Sequence, residues 1–107
     1  MTPEEVYELV SRWAKELGVY PKRVRFQKMR HKWASASSKG TLTFSVDILE
    51  LPYEVVEYIV VHELIHIKVG SPRHNRLFRA LLSSYIPEWQ ALQRELTSYS
   101  SPSGVQE

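Results

Sequence analysis

The chain has 107 residues, of which 43% are hydrophobic and 11% aromatic, and its formal net charge is +2. This length and composition predict a single globular domain over residues 1–107, with residues 99–107 as a mobile polar tail. The absence of cysteine excludes disulfides and thiol chemistry. No signal peptide is expected at the N-terminus and no apolar run is long enough to cross a membrane, so we predict a cytoplasmic location.

The first predicted element is an N-terminal helix. Thr2 and Glu5 have the spacing of a capping box, and Pro3 suits the first helical position. Apolar residues then recur at helical spacing over residues 6–17, and Gly18 is a typical C-terminal stop.

Residues 24–46 are predicted to form strands. Apolar and polar side chains alternate in three runs, at Val24 and Phe26, at Met29, His31 and Trp33, and at Leu42, Phe44 and Val46. The phase changes between the first two runs, which predicts a bulge or turn near residues 27–28. Residues 38–40 have turn composition. We therefore expect a small antiparallel or mixed sheet.

Three helices are predicted in the second half of the chain, over about residues 52–69, 72–85 and 87–98. The first is apolar nearly all round, which is typical of a buried helix, and Gly70 ends it. Ser71 and Pro72 suit the start of the second helix, and Pro87 that of the third. The fold class is therefore α+β.

The sequence His62-Glu63-Leu64-Ile65-His66 lies in the first of these helices and contains the candidate metal-binding and catalytic residues. Four residues turn a helix by about 400°, so both imidazoles lie on one face, roughly 5–6 Å apart at Cβ. This separation suits two zinc–nitrogen bonds. Glu63 is rotated by about 100° from His62 and can reach an open position of the metal. The pattern is typical of zinc hydrolases.

A third zinc ligand is needed, and the residues after the motif offer few candidates. His74 is the first choice, because it would lie in the first turn of the helix that follows Gly70. Glu95 is the alternative third ligand, since it flanks the apolar stripe of the last helix. Glu88 is a weaker candidate, because a glutamate in a first turn is already explained by the helix dipole.

Residues 28–89 resemble the YgjP-like metallopeptidases, which belong to the zinc-binding class with the HExxH motif called zincins. The matching elements are Lys28-Met29-Arg30 with Lys32-Trp33, the serine-rich run 35–40, the motif in residues 60–66, His74 with Phe78, and Pro87-Glu88-Trp89. The chain is also similar to the minigluzincins, soluble zincins on a minimal scaffold. This resemblance implies a zincin-like fold, zinc bound by His62, His66 and His74, and a catalytic Glu63. In glu-zincins the third ligand is a glutamate on a later helix, here Glu95 or Glu88.

The expected function is therefore a zinc-dependent endopeptidase, with Glu63 as the general base that activates zinc-bound water. Peptides or proteins are the expected substrates, and by the same resemblance strand 41–46 would form the rim of the cleft. Tyr85, Arg76 and His31 are candidates for a second oxyanion donor.

Two other hypotheses remain. The enzyme could be latent, with the tail to Glu107 folded into its own cleft or, by self-association, into that of a neighbour. Alternatively, the chain could be a catalytically silent, zinc-stabilised module that binds nucleic acid or protein. Six basic residues fall between Lys22 and Lys32, although solvated strand faces explain such a run better than nucleic acid does.

Overall fold

Residues 1–99, the part of the chain that the computed structural model describes, form four α-helices and a three-stranded sheet. The elements are α1 (Pro3–Leu17), β1 (Arg23–Gln27), β2 (Ala34–Ala36), β3 (Thr41–Ser45), a 3₁₀ helix (Val46–Glu50), α2 (Tyr53–Val69), α3 (Arg76–Tyr85) and α4 (Trp89–Thr97). The α+β prediction is confirmed. The predicted tail lies, apart from Tyr99, outside the described residues. No helix within residues 1–99 is long and apolar enough to span a bilayer.

Helix α1 has the predicted caps. Thr2 Oγ1 accepts from the Glu5 backbone N–H at 3.2 Å, and the Glu5 carboxylate accepts from the Thr2 N–H at 2.7 Å. Gly18 ends the helix in the left-handed conformation, with φ of 73°. Two contacts attach α1 to α2: the Trp13 indole donates to Glu57 at 2.9 Å, and Lys68 Nζ donates to the Leu17 carbonyl at 2.8 Å.

The sheet is mixed, with strand order β1-β3-β2. β1 runs parallel to β3, with Val24 opposite Leu42, whereas β2 runs antiparallel to β3, with Ala34 opposite Phe44. The central strand is the most buried, and both Leu42 and Phe44 are fully inaccessible to solvent. The predicted sheet is confirmed, including the turn before β3, where Gly40 has a φ of 93°.

The prediction that Met29, His31 and Trp33 continue a strand is wrong. β1 and β2 lie on opposite sides of β3 and run in opposite directions. Residues 28–33 must therefore cross the end of the sheet, where they have no strand to pair with. Trp33 is nonetheless buried. The apolar side chain that suggested a strand therefore packs into the core from a connecting segment.

Two predicted boundaries are also wrong. Val46 begins the 3₁₀ helix instead of ending β3, because the Ser45 hydroxyl caps that turn by accepting from the Asp47 N–H at 3.2 Å. Helix α3 begins four residues later than expected. Asn75 is its N-cap, with its side chain accepting from the Phe78 N–H at 2.9 Å, and Ser71 forms a local turn with Arg73 instead.

Helix α2 is the centre of the molecule. Every residue from Tyr58 to Ile65 is buried, and α1, β2, α3 and α4 all pack against this helix. Its apolar residues cover it on all sides, which explains why one helix can be surrounded by four elements. Gly70, with φ of 74°, ends it as predicted. The motif is thus carried by the most rigidly packed element of the fold.

Candidate metal centre

His62 and His66 lie one turn apart on α2, with ring centroids 5.0 Å apart. His62 is buried, and His66 is half-buried nearer the surface. Because helix α2 is packed on all sides, neither imidazole can move far from this arrangement.

His74 completes a cluster of three imidazoles. Its Nε2 lies 3.2 Å from Nε2 of His62 and 3.1 Å from Nε2 of His66. One ring nitrogen from each histidine lies within 4.8 Å of the other two. The sequence predicted His74 in the first turn of α3, and this is wrong. His74 directly precedes the N-cap Asn75. A non-helical backbone lets this exposed residue reach across the end of α2.

The spacing of these nitrogens fits a zinc ion. Two nitrogens that each lie 2.0–2.1 Å from a tetrahedral zinc ion are separated by about 3.3 Å, close to the two measured distances. His66 Nδ1 lies 3.0 Å from the Ser71 carbonyl oxygen, which can only accept, so Nδ1 carries the hydrogen. The Nε2 lone pair of His66 is therefore directed toward the other two histidines, as metal ligation requires.

The surroundings favour the neutral form of all three imidazoles. Burial lowers the pKa of His62 well below its usual value, and the nearby His66 and His74 lower it further. Burial is also the main cause of the lowered pKa of His66, against which the Ser71 carbonyl acts. The pKa of His74 is lowered by partial burial and then by the Arg79 charge. Neutral imidazole is the form that binds metals.

Phe78, in the first turn of α3, packs against all three imidazoles. Its ring centroid lies 4.9 Å from that of His62, 4.5 Å from that of His66 and 4.8 Å from that of His74. Phe78 is itself 1% exposed. The apolar ring thus closes one side of the cluster, so that His74 is positioned by packing as well as by its own turn.

Glu63 opens onto a cleft of about 120 Å³ on another side of the cluster. This central cleft is lined by Glu63, His66, His74, Pro72, Lys32 and the three residues of β2. Glu63 is 1% exposed, so it is held by the core and lines the cleft from within. The prediction that strand 41–46 forms the rim is wrong, because β3 is paired on both sides. The edge strand that lines the cleft is β2.

Comparisons with known proteins agree with this geometry. The model of the YgjP-like metallopeptidase domain matches residues 2–99. The chain belongs to the YgjP-like metallopeptidase family. Like its family, it is a metallopeptidase, which implies a bound metal ion and a peptide or protein substrate. No curated protein matches the chain significantly.

Two solved structures are similar to this YgjP-like metallopeptidase. The metallopeptidase zymogen abylysin of Pyrococcus abyssi is 27% identical, with a TM-score of 0.80 over 87% of this chain and 92% of that chain. The metallopeptidase zymogen jannalysin of Methanocaldococcus jannaschii is 26% identical, with a TM-score of 0.78 over 87% of this chain and 94% of that chain. The zincin-like fold expected from the sequence is thereby confirmed.

Three other candidate residues of the YgjP-like chain, Glu95, Glu88 and Tyr85, are not part of the histidine cluster. Glu95 is exposed on α4, and Glu88 is exposed at the N-cap of the same helix. Neither belongs to the group of potential metal ligands within residues 1–99. Tyr85 packs against Trp13 at 5.9 Å.

Two further depressions in the YgjP-like chain flank the central cleft. One, the far pocket, lies beyond His66 and is lined by residues 36–38, 66–67 and 70–72. The other, the side pocket, lies beyond His62 and His74, has a volume of about 200 Å³ and takes residues from three helices, namely Tyr58, Phe78, Arg79, Leu82, Trp89 and Gln93. Of these, Tyr58 could have been found from the sequence, since it precedes His62 by one helical turn.

Proposed function

We propose that this protein is a zinc-dependent endopeptidase in which His62, His66 and His74 hold the metal and Glu63 is the general base. The observation that carries the proposal is the convergence of three neutral imidazole nitrogens, 3.1 and 3.2 Å apart along two sides, next to a buried glutamate in a cleft. A zinc ion bound there would acidify water and polarise a peptide carbonyl.

Glu63 supplies proton transfer. Its carboxylate lines the central cleft with His66 and His74, which is within reach of a water molecule that attacks a carbonyl there. It takes the proton from that water and returns it to the leaving amine. Because the carboxylate is buried and lines the cleft, the proton is transferred within the cleft.

The edge strand β2 binds the substrate backbone. Its outer side is unpaired within the sheet, and its three residues line the central cleft. An extended peptide can add to such an edge through main-chain hydrogen bonds. Sequence specificity then has to come from pockets beside the strand.

Lys32 supplies a positive charge at the same cleft. It lines the cleft, and its charge is one of the smaller causes that lower the pKa of His66. We therefore prefer Lys32 to Tyr85, Arg76 and His31 as the group that stabilises negative charge on the substrate oxygen.

Replacing Glu63 with glutamine tests the proposal. We expect Glu63→Gln to lower kcat/KM for peptide cleavage by about 10²- to 10⁴-fold while the protein still binds one zinc per chain. Glu54→Gln, at an exposed position of the same helix, is the matched control and should keep full activity. The measurements are metal content after reconstitution with zinc and cleavage of a peptide library followed by mass spectrometry.

Two results would contradict the proposal. A fully active Glu63→Gln enzyme would exclude Glu63 as the base. A wild-type protein that takes up no zinc would exclude the three histidines as its site.

The non-catalytic alternative fits the structure less well. A closed structural zinc site has four protein ligands, whereas the group within residues 1–99 contains three. Within the same residues, the side of the cluster that faces Glu63 is a cleft. These features support catalysis over a purely structural metal.

We also propose that the enzyme is made in a latent form. The observation that favours latency is that the similar solved structures of abylysin and jannalysin are both of metallopeptidase zymogens. The C-terminal segment that ends at Glu107 is the candidate inhibitory element, acting within its own chain or on a neighbour. Deletion of residues 101–107 should raise peptidase activity severalfold, and it spares Tyr99, which packs against the core. Unchanged activity after the deletion would reject this mechanism.

A further inference from the structure

The charges of this chain are unevenly distributed, although its formal net charge is only +2. No aspartate or glutamate falls within residues 17–46 or within residues 64–87, and we call these two ranges the acid-free stretches. They hold eleven of the 14 lysines and arginines. The other residues hold the remaining three together with all 12 aspartates and glutamates. The small net charge therefore conceals a strong separation of charge along the chain.

The fold brings the two acid-free stretches together at the central cleft. Every residue that lines this cleft belongs to one of them, apart from Glu63. The far pocket, which shares His66 and Pro72 with the cleft, is lined by the acid-free stretches alone. Residues 32–38 form one wall of these two depressions and residues 66–74 form the other. Among residues 1–99, Glu63 is thus the only carboxylate that lines either of them.

Three exposed cations lie along these walls. Lys32 lines the central cleft itself. Arg73 is flanked in the chain by two residues that both line the cleft, and Lys39 directly follows residues 37–38 of the far pocket. We call Lys32, Lys39 and Arg73 the basic rim. None of the three forms an ion pair within residues 1–99, so their charges are available to a ligand.

The basic rim creates a positive field over the cleft. A single exposed ion pair contributes little, but several cations of one sign around a concave site raise the local concentration of anions and the rate at which they associate. The carboxylates that could oppose this field lie mainly on α1, on the 3₁₀ helix and in the first half of α2. The cleft is therefore the face of the molecule that attracts anionic ligands.

An acidic peptide fits this surface better than a nucleic acid does. The edge strand β2 lines the cleft and offers main-chain groups to an extended peptide. Single-stranded nucleic acids are bound through aromatic side chains on which the bases stack. Among the described residues, no phenylalanine, tyrosine or tryptophan lines the central cleft or the far pocket.

We propose that the basic rim selects acidic polypeptide segments, so that the substrates of this protein carry aspartate or glutamate close to the cleaved bond. Cleavage of such segments rests on the proposed function, whereas the selection itself requires only binding. The proposal assigns the substrate class to charges on the two walls of the cleft, and for Lys39 and Arg73 this role is separate from zinc binding and proton transfer.

Three peptides that share one cleavable core, taken from the peptide-library cleavage, test this selection. The core is flanked on each side by two glutamates, two glutamines or two lysines. For the zinc-loaded wild type in about 20 mM salt, we expect kcat/KM to be at least about tenfold higher for the glutamate peptide than for the lysine peptide, with the glutamine peptide between them. In about 1 M salt the Debye length falls to about 3 Å, and the ratio should approach one.

Charge reversal at the basic rim should remove most of the preference. We expect Lys39→Glu combined with Arg73→Glu to lower the glutamate-to-lysine ratio of kcat/KM about fivefold or more. Lys15→Glu combined with Arg94→Glu is the matched control, because it changes the same two residue types at exposed positions outside the acid-free stretches. The control should keep the ratio. A merely structural effect of the rim variant would lower kcat/KM for all three peptides alike and leave the ratio unchanged.

Binding measurements separate this inference from the proposed function. The same peptides, labelled with a fluorophore, are titrated into zinc-loaded Glu63→Gln protein and followed by fluorescence anisotropy. Tighter binding of the glutamate peptide, together with a wild type that cleaves no peptide, would reject the peptidase proposal and keep the selection of acidic segments.

Three results would overturn the selection. Equal kcat/KM for the three peptides at low salt would reject it, and so would an unchanged ratio in the rim variant. A single-stranded oligonucleotide that binds more tightly than the glutamate peptide, and loses this affinity in the rim variant, would assign the basic rim to nucleic acid instead.

Discussion

The two α2 histidines and His74 meet at one point but are held there by different means. His62 and His66 belong to a helix that four other elements cover, so the core fixes their positions. His74 lies in the exposed segment between Gly70 and Asn75, where a left-handed glycine, local hydrogen bonds and Phe78 position it. From this difference we expect the fold to survive replacement of His74 and the proposed zinc site to be lost with it.

The largest expected effect comes from removing a ligand from each region. His62→Ala and His74→Ala should both lower zinc affinity more than about 100-fold, since a group that binds the metal directly matters more than one that only orients a ligand. With zinc chelated, His62→Ala should destabilise the fold by about 1–3 kcal/mol, whereas His74→Ala should change stability by less than about 0.5 kcal/mol. Zinc titration and denaturant unfolding measure the two quantities.

Glu95→Gln is the control for this comparison, because Glu95 is exposed on α4. It should bind zinc as the wild type does. Full zinc affinity in His74→Ala, with loss in Glu95→Gln, would transfer the third ligand to α4.

An intermediate effect is expected from acidification of the metal-free protein. The folded-state pKa of each clustered histidine lies below the ordinary value of 6.5, chiefly through burial. The unfolded chain therefore takes up protons first, so folding stability falls as the pH drops from about 6.5 toward the folded-state pKa values. At about one pH unit or more above 6.5 the histidines are neutral in both states and contribute no slope.

Urea unfolding between pH 8 and 5 in the presence of a chelator measures this slope. His31→Ala, at an exposed position of the 28–33 connection, should retain it. Stability that rises on acidification would mean that the cluster is protonated in the fold, against the assignment of neutral ligands.

The smallest expected effect on stability concerns two glycines with the same backbone conformation. Gly18 and Gly70 have φ of 73° and 74°, and a Cβ added to either meets no atom within 4 Å. Gly18→Ala and Gly70→Ala should each cost about 1 kcal/mol of folding stability, through the left-handed strain alone. Only Gly70→Ala should also weaken zinc binding, by a few fold, because Gly70 leads into the His74 segment. Equal zinc affinity in both variants would show that this segment does not depend on the helix end.

The correct predictions concern features that neighbouring residues determine. Thr2 and Glu5 cap α1, and Gly70 ends α2, because caps and left-handed turns depend on a few adjacent residues. The place of His74 was not predictable in the same way. Ser71 was a plausible helix cap, but its carbonyl accepts a hydrogen bond from His66, five residues earlier, and Asn75 caps α3 instead.

The sequence alone determined that one buried helix carries two histidines on one face with a glutamate beside them, because helical geometry follows from local spacing. Tertiary structure alone decided that β3 is the central strand and that the edge strand β2 lines the cleft, since the pairing of β3 on both sides depends on residues far apart in the chain. It also decided that Tyr58, Arg79 and Trp89, from three helices, share one pocket with His62. Such groupings arise when helices pack, and no local pattern records them.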